Sequence, residues 1–160
     1  MKPLKSNLDV TDWAILRELQ ADARLSYAEI GRRVGLSSPA VQERVRKLED
    51  AHIITGYHAQ VKVENLGFPI RAIVRLKTPT GIKEKFTEIV QEIPQILECH
   101  HIIGEFGFNL VVVAESMEHL ESLLKYLFEY GETETTVILT TPLKRRSISP
   151  DAFPDESQLL

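Results

Sequence analysis

Gln42, Glu43, Arg46 and Lys47 fall on one side of a helical repeat, and Val41, Val45 and Leu48 fall on the other. An amide, a carboxylate, a guanidinium and an ammonium on one outward stripe are the groups that hydrogen-bond base edges and phosphates. Gln42 suits adenine and Arg46 suits guanine, because each side chain can form a pair of hydrogen bonds with that base. Arg24, Arg32 and Arg33 precede the stripe and are candidates for positioning contacts to a phosphate backbone. Between Arg24 and Lys47 there are six basic residues and two acidic ones, in a chain of net charge −4. Such a local excess is what a phosphate-facing surface leaves in an acidic protein. The plainer reading is a solvated helix face, on which Arg and Lys are common.

Two other clusters invite chemistry. Cys99, His100 and His101 are metal-ligand types, but neighbours in a strand point to opposite faces, so only Cys99 and His101 share a side. No second ligand cluster accompanies them, and no metal site is expected. The turn Gly104, Glu105, Phe106, Gly107 would let a ligand approach backbone amides closely. Thr133, Thr135 and Thr136 offer hydroxyls to the same ligand. Ordinary turn chemistry explains both equally well. No phosphate-binding glycine loop, nucleophile elbow or metalloprotease motif is present. Glu98, Glu105 and Glu115 are scattered, and nothing in the sequence points to catalysis.

The elements that would carry these residues are legible. Ser26 with Glu29 three residues on predicts a capping box, and Tyr27, Ile30 and Val34 an apolar helix face. Gly35 stops that helix; Ser37 or Ser38 caps the next, with Pro39 in its first turn. Two short helices about a glycine turn predict a helix-turn-helix, whose second helix enters the DNA major groove. Asp9 caps an earlier helix, with Asp12 in its first turn, Leu8 as a hydrophobic staple and Ile15, Leu16 and Leu19 as its stripe. Ile53, Ile54, Tyr57, Val61 and Val63, broken by Thr55-Gly56, suggest a small wing of one or two strands. Residues 65–69 read as a boundary loop.

Beyond it the pattern is strand, helix, strand, strand, helix, strand, which is the split βαββαβ layout. The strands are expected at Arg71–Lys77, Ile96–Ile103, Phe108–Ala114 and Thr135–Leu139, and the helices around Phe86–Ile93 and Leu120–Phe128. Leu110 to Val113 make the third strand apolar on both faces, while the helices cover only one. A second copy is therefore expected against the open face, giving a homodimer with two recognition helices. From Pro142 the chain reads as a flexible or loosely packed extension that opens basic and ends acidic; Lys144, Arg145 and Arg146 could add a phosphate contact, a solvated basic run being the plainer reading. The 160 residues hold one cysteine, so no internal disulfide framework exists; no signal peptide or stretch long enough to span a membrane is read. Residues 1–60 carry 9 basic and 8 acidic side chains and residues 61–160 carry 10 and 15, so the two parts are expected to meet different partners.

With these residues in view, the chain resembles the Lrp/AsnC, or feast/famine, family of prokaryotic transcription regulators. The stretch from Leu8 to Tyr57 carries most of the likeness, joined by LECHHIIGEFGFNLVVV and TETTVIL. The resemblance implies a winged helix-turn-helix followed by a ligand-sensing αβ sandwich. It also implies dimers that assemble into octamers or open arrays, and an amino acid bound between C-terminal domains. Two positions depart from the pattern: His52 stands where a glycine usually follows the recognition helix, and Gly107 where the effector turn usually carries an aspartate.

The resulting expectation is an α+β protein. It has a winged helix-turn-helix over residues 1–63, a hinge at 64–69, a ferredoxin-like sensing and oligomerisation domain at 70–141 and a tail at 142–160. It is expected to be a cytoplasmic transcription regulator rather than an enzyme, with double-stranded DNA and further copies of itself as partners. Its DNA contacts are Arg24, Arg32, Arg33, Ser37, Ser38, Gln42, Glu43, Arg46 and Lys47. Its ligand contacts are Gly104, Glu105, Phe106, Gly107, Thr133, Thr135 and Thr136, with an amino-acid effector and no other cofactor or metal. An architectural DNA binder and a metabolite-binding enzyme accessory remain as alternatives.

Overall fold

The computed structural model describes residues 8–150. They fall into two compact units: the chain up to Ala59 together with the segment from Leu143, and Gln60–Pro142.

In the first unit α1 spans Val10–Ala21, α2 Tyr27–Val34 and α3 Ser38–Asp50. Ile15, Leu16, Leu19, Ile30, Val41, Val45 and Leu48 form its core, and Leu8, Trp13, Leu25, Val34, Leu36 and Ile54 pack around it. Gly35 closes α2 in the left-handed conformation (φ 74°), where a Cβ would be strained. Ser26 caps α2 by accepting from the Glu29 amide, but the expected reciprocal bond does not form. The Glu29 carboxylate is taken instead by Arg32 and Arg33. A complete capping box sits on α1, where Asp9 and Asp12 each accept the other's amide. His52 follows α3 at φ 53°; histidine enters this region more readily than most side chains.

The short strands expected between Ile53 and Val63 are not formed. Residues 55–62 run without a ladder partner among the described residues, and Val63–Leu66 is a single 3-10 turn. Hydrophobic alternation can indicate a strand, but only a neighbouring edge supplies the ladder bonds.

In the second unit β1 (Ile70–Lys77), β2 (Ile96–His101), β3 (Phe108–Ala114) and β4 (Glu132–Val137) form one antiparallel sheet in the order β2-β3-β1-β4. Two helices, α4 (Lys83–Ile89) and α5 (Met117–Phe128), complete the expected ferredoxin-like layout. β2 stops two residues before its expected end, and β4 starts three residues early. Ala72, Val74 and Leu76 of β1 and Phe108, Leu110, Val112 and Ala114 of β3 join Phe86, Leu120, Leu123, Leu127 and Tyr130 in the core. Phe86 is its centre, edge-on to Phe108 at 4.9 Å and tilted against Tyr130 at 5.7 Å. The opposite face of β1 and β3 carries Arg71, Ile73 and Arg75 paired with Val113, Val111 and Asn109.

Candidate nucleic-acid interface

The exposed face of α3 carries Gln42, Glu43, Arg46 and Lys47, all open to solvent, while Val41, Val45 and Leu48 anchor its inner face. Ser37 is the N-cap, its hydroxyl accepting from the Ala40 amide at 3.4 Å, so that oxygen already has a local partner; Ser38 is the first exposed residue of the helix. Lys47 pairs with Glu43 across one turn at 2.8 Å. That lysine holds the Glu43 carboxyl below its usual pKa range, so it stays ionised.

Several cations that the sequence offers for phosphate turn out to be engaged within the unit. Arg33 bridges Glu18 at 2.9 Å and Glu29 at 3.0 Å, tying α2 to α1. Its hydrogen bond is the main cause of the lowered Glu18 pKa. Arg32 pairs with Glu29. Arg24 lies in the exposed loop before α2; its backbone amide donates to Asp22 Oδ1 at 2.9 Å, but its guanidinium forms no ion pair among the described residues, and neither does that of Arg46.

Arg44 was not among the expected site residues, yet its ion pairs tie α3 to the start of α1. Its Nη1 reaches Asp9 Oδ2 and Asp12 Oδ1, each at 2.7 Å. One guanidinium thus holds both carboxylates of the α1 capping box. The Asp12 amide first, and Arg44 second, hold the Asp9 carboxyl below its usual range. The two aspartates raise the Arg44 pKa in turn. Gly31 was also missed. A Cβ there would lie 2.4 Å from the Leu36 carbonyl oxygen, so only glycine lets the turn return across α2. A glycine inside a helical pattern, costly against alanine, was the available signal.

The candidate ligand residues are divided between faces. Gly104–Gly107 cap the β2–β3 hairpin. Phe106 lies under the Arg75 guanidinium, 4.8 Å from ring centre to Cζ, and Glu105 approaches Lys77 at 3.7 Å. The Gly107 amide already donates to Leu76 and its carbonyl accepts from Ile102. Thr136 pairs with Ile73 and so shares Phe106's face of the sheet; Thr133 and Thr135 pair with Leu76 and Val74 and face the helices. A single chain therefore does not gather these residues into one pocket. The register places Cys99 and His101 toward the helix side and His100 away from it. Among the described residues no group of three His, Cys, Asp or Glu side chains could hold a metal. Burial raises the Cys99 pKa, which favours the neutral thiol.

Residues 8–49 match the AsnC-type helix-turn-helix domain, and residues 71–148 match the Lrp/AsnC ligand binding domain. The chain belongs to the Lrp/AsnC family. It is 38% identical to the HTH-type transcriptional regulator LrpC of Bacillus subtilis over 83% of this chain and 92% of the relative. It is 34% identical to the leucine-responsive regulatory protein of Rhizobium meliloti over 91% of this chain and 94% of that one. The solved structure of B. subtilis LrpC superposes with a TM-score of 0.83 at 37% identity, covering 86% of this chain and 99% of that one. A Neisseria meningitidis transcriptional regulator solved with L-Met gives a TM-score of 0.83 at 27% identity, over 88% and 96%. The chain is thus a DNA-binding transcription regulator of the Lrp/AsnC type, and its second unit is a ligand-binding domain. Among the described residues no helix is long and apolar enough to cross a membrane.

Proposed function

We propose that this regulator reads DNA in the cytoplasm through Gln42 and Arg46. Ser38, Glu43 and Lys47 are adjacent contacts, and Arg24 fixes the backbone. The observation that carries this reading is the division of cations on the helical unit. Arg32, Arg33 and Arg44 are tied to carboxylates, whereas Arg46 extends from the exposed face of α3 without one. Arg33 then acts on DNA mainly by holding α2 against α1, and Ser37 by starting α3; Arg32, whose pair with Glu29 lies within α2 and which stays exposed, remains a contact to the DNA backbone. Two copies pack through the open sheet face. The half-buried Ile73 and Val111 line that face beside Val113, which the single chain already buries, and the Arg71 Nε buried on it has no hydrogen-bond partner in the single chain. An amino acid is the effector class that the ligand-binding domain supports, and it acts at the 104–107 hairpin. Among the described residues the Gly104, Glu105 and Phe106 amides donate to no backbone carbonyl.

The test is fluorescence anisotropy on the regulator's own upstream DNA and on a random duplex, with a panel of amino acids. Arg46→Ala is expected to cost about 1–3 kcal/mol and to relax preference at one base position; unchanged binding would reverse the orientation given to α3. Gly107→Asp restores the carboxylate usual in the family. A Cβ there would meet only Thr78 Oγ1, at 4.0 Å, outside its chain neighbours, so the variant is expected to fold normally and to strengthen the amino-acid response. Val111→Asp is expected to shift sedimentation toward monomer, and an unchanged profile would rule out the open face as the contact.

A further inference from the structure

Gln20, near the end of α1, uses both ends of its amide on one residue 128 positions away. Its Nε2 donates to the Ile148 carbonyl at 3.1 Å, and its Oε1 accepts from the Ile148 amide at 2.9 Å. The pair mimics one rung of a β-ladder and fixes the amide orientation, since a flip would lose both bonds. The segment from Leu143 accordingly groups with the helices and not with the sheet it leaves. The described part of the expected loosely packed extension, residues 143–150, is mostly exposed and forms no regular element, but it is tethered to α1 at Ile148; residues 151–160 lie outside the described residues.

The tether places a local run of cations on that unit. Residues 1–59 carry nine basic and eight acidic side chains; in the tail Lys144, Arg145 and Arg146 come first, and its three acidic residues, Asp151, Asp155 and Glu156, follow only after Pro150. All three cations are exposed, and none forms an ion pair with a described carboxylate, unlike Arg32, Arg33, Arg44 and Lys47. Chain length keeps the Arg146 Cα within about 7 Å of Ile148, and that of Arg24 within about 14 Å of Gln20. The tether therefore brings the tail cations to the end of α1 from which the Arg24 loop departs.

We infer that Lys144, Arg145 and Arg146 form a second phosphate-binding segment for double-stranded DNA, held against the helical unit by the Gln20 amide. This inference rests on the DNA-binding role of the helix-turn-helix. The segment contributes sequence-independent affinity beside the reading done by α3, because point charges on phosphates carry no base information.

The experiment measures the dissociation constant of the full chain for promoter and random duplexes across a salt series. Replacing Lys144, Arg145 and Arg146 together by Ala should weaken both duplexes by the same factor. It should also reduce the slope of log K against log salt by up to about 2.7, at about 0.9 per phosphate contact. Gln20→Ala should weaken both duplexes in the same direction by a smaller factor, with the circular dichroism of the helices unchanged. Lys83→Ala with Lys85→Ala, on the sheet unit, should leave the slope unchanged. A triple variant with wild-type affinity and slope would overturn the inference. So would a Lys83/Lys85 variant that loses as much per charge, which would reduce the effect to net charge. Failure of the unmodified chain to bind either duplex would instead remove the DNA reading and the inference with it.

Discussion

The two units are held by different means. Among the described residues the core of the sheet unit comprises fourteen buried residues, Phe86 at their centre, while that of the helical unit comprises seven. The helical unit compensates with ion pairs that run between helices: Arg33 to Glu18, and Arg44 to Asp9 and Asp12. In the sheet unit the pairs are more exposed, both between elements, as with Arg75 and Glu134 on neighbouring strands, and within one, as with Lys125 and Glu121 across one helical turn. Burial is non-directional and sets how stable a unit is. A guanidinium held by two carboxylates is directional and sets where a helix points. The unit that must present a helix to DNA is the one fastened by charge.

This contrast can be broken most sharply at the core. Phe86→Ala should cost the sheet unit about 3–5 kcal/mol. Trp13 is the single tryptophan and packs on the helical core, so its fluorescence reports the other unit alone. A urea transition seen through Trp13 that stays in place while the circular dichroism transition moves would support two independent cores. Equal movement of both would mean that the chain melts as one body.

Arg44→Gln should act the other way. Its partners are partly exposed, so stability should fall by no more than about 1 kcal/mol. DNA affinity should drop by about three- to tenfold, because α3 loses its tie to α1. Unchanged affinity would leave the clamp with no positioning role.

The smallest effect expected is in pH dependence, and it should mark the helical unit at both ends of the scale. Asp9, Glu18 and Glu43 have pKa values lowered by hydrogen bonds and cations. The stability they add is present above their unfolded values, about 4, and is lost as pH falls through the lower folded values. Tyr57 is pushed up to about 12, first by burial and then by its hydrogen bond to Glu49 at 2.8 Å. Its contribution is therefore intact below about pH 10 and disappears as pH rises toward 12. Tyr57→Phe should erase the alkaline limb of the Trp13-reported transition and leave the acid limb in place.

Much of this architecture was legible in the sequence. Caps, glycine stops and apolar spacing are local, and they located α1, α2, α3 and the strand–helix order of the second unit. The interactions that were not legible connect residues distant in sequence. Arg44 reads as one more outward cation until α1 is folded beside it, and Gln20 has no local feature that points to Ile148. Glu29 illustrates the same limit at short range: the spacing for a capping box is present, but two arginines one turn on compete for the carboxylate. The strands of the wing failed for a related reason, since alternation states a preference and a ladder needs a partner edge. At the 104–107 hairpin the turn was readable, but the division of the three threonines between two faces depended on the register of β4 against β1.

The irregularity in β2 has a consequence for chain length. Ile96 pairs with Val112 and Glu98 with Val111, so Leu97 is an extra residue opposite no partner of its own. Deleting Leu97 would leave Ile96, Glu98 and Cys99 opposite the same three residues of β3 in an uninterrupted alternation. Elsewhere in the sheet a one-residue deletion turns the rest of a strand inside out. At this position the fold can lose a residue without reversing any side chain, so length variation in the sheet is expected here.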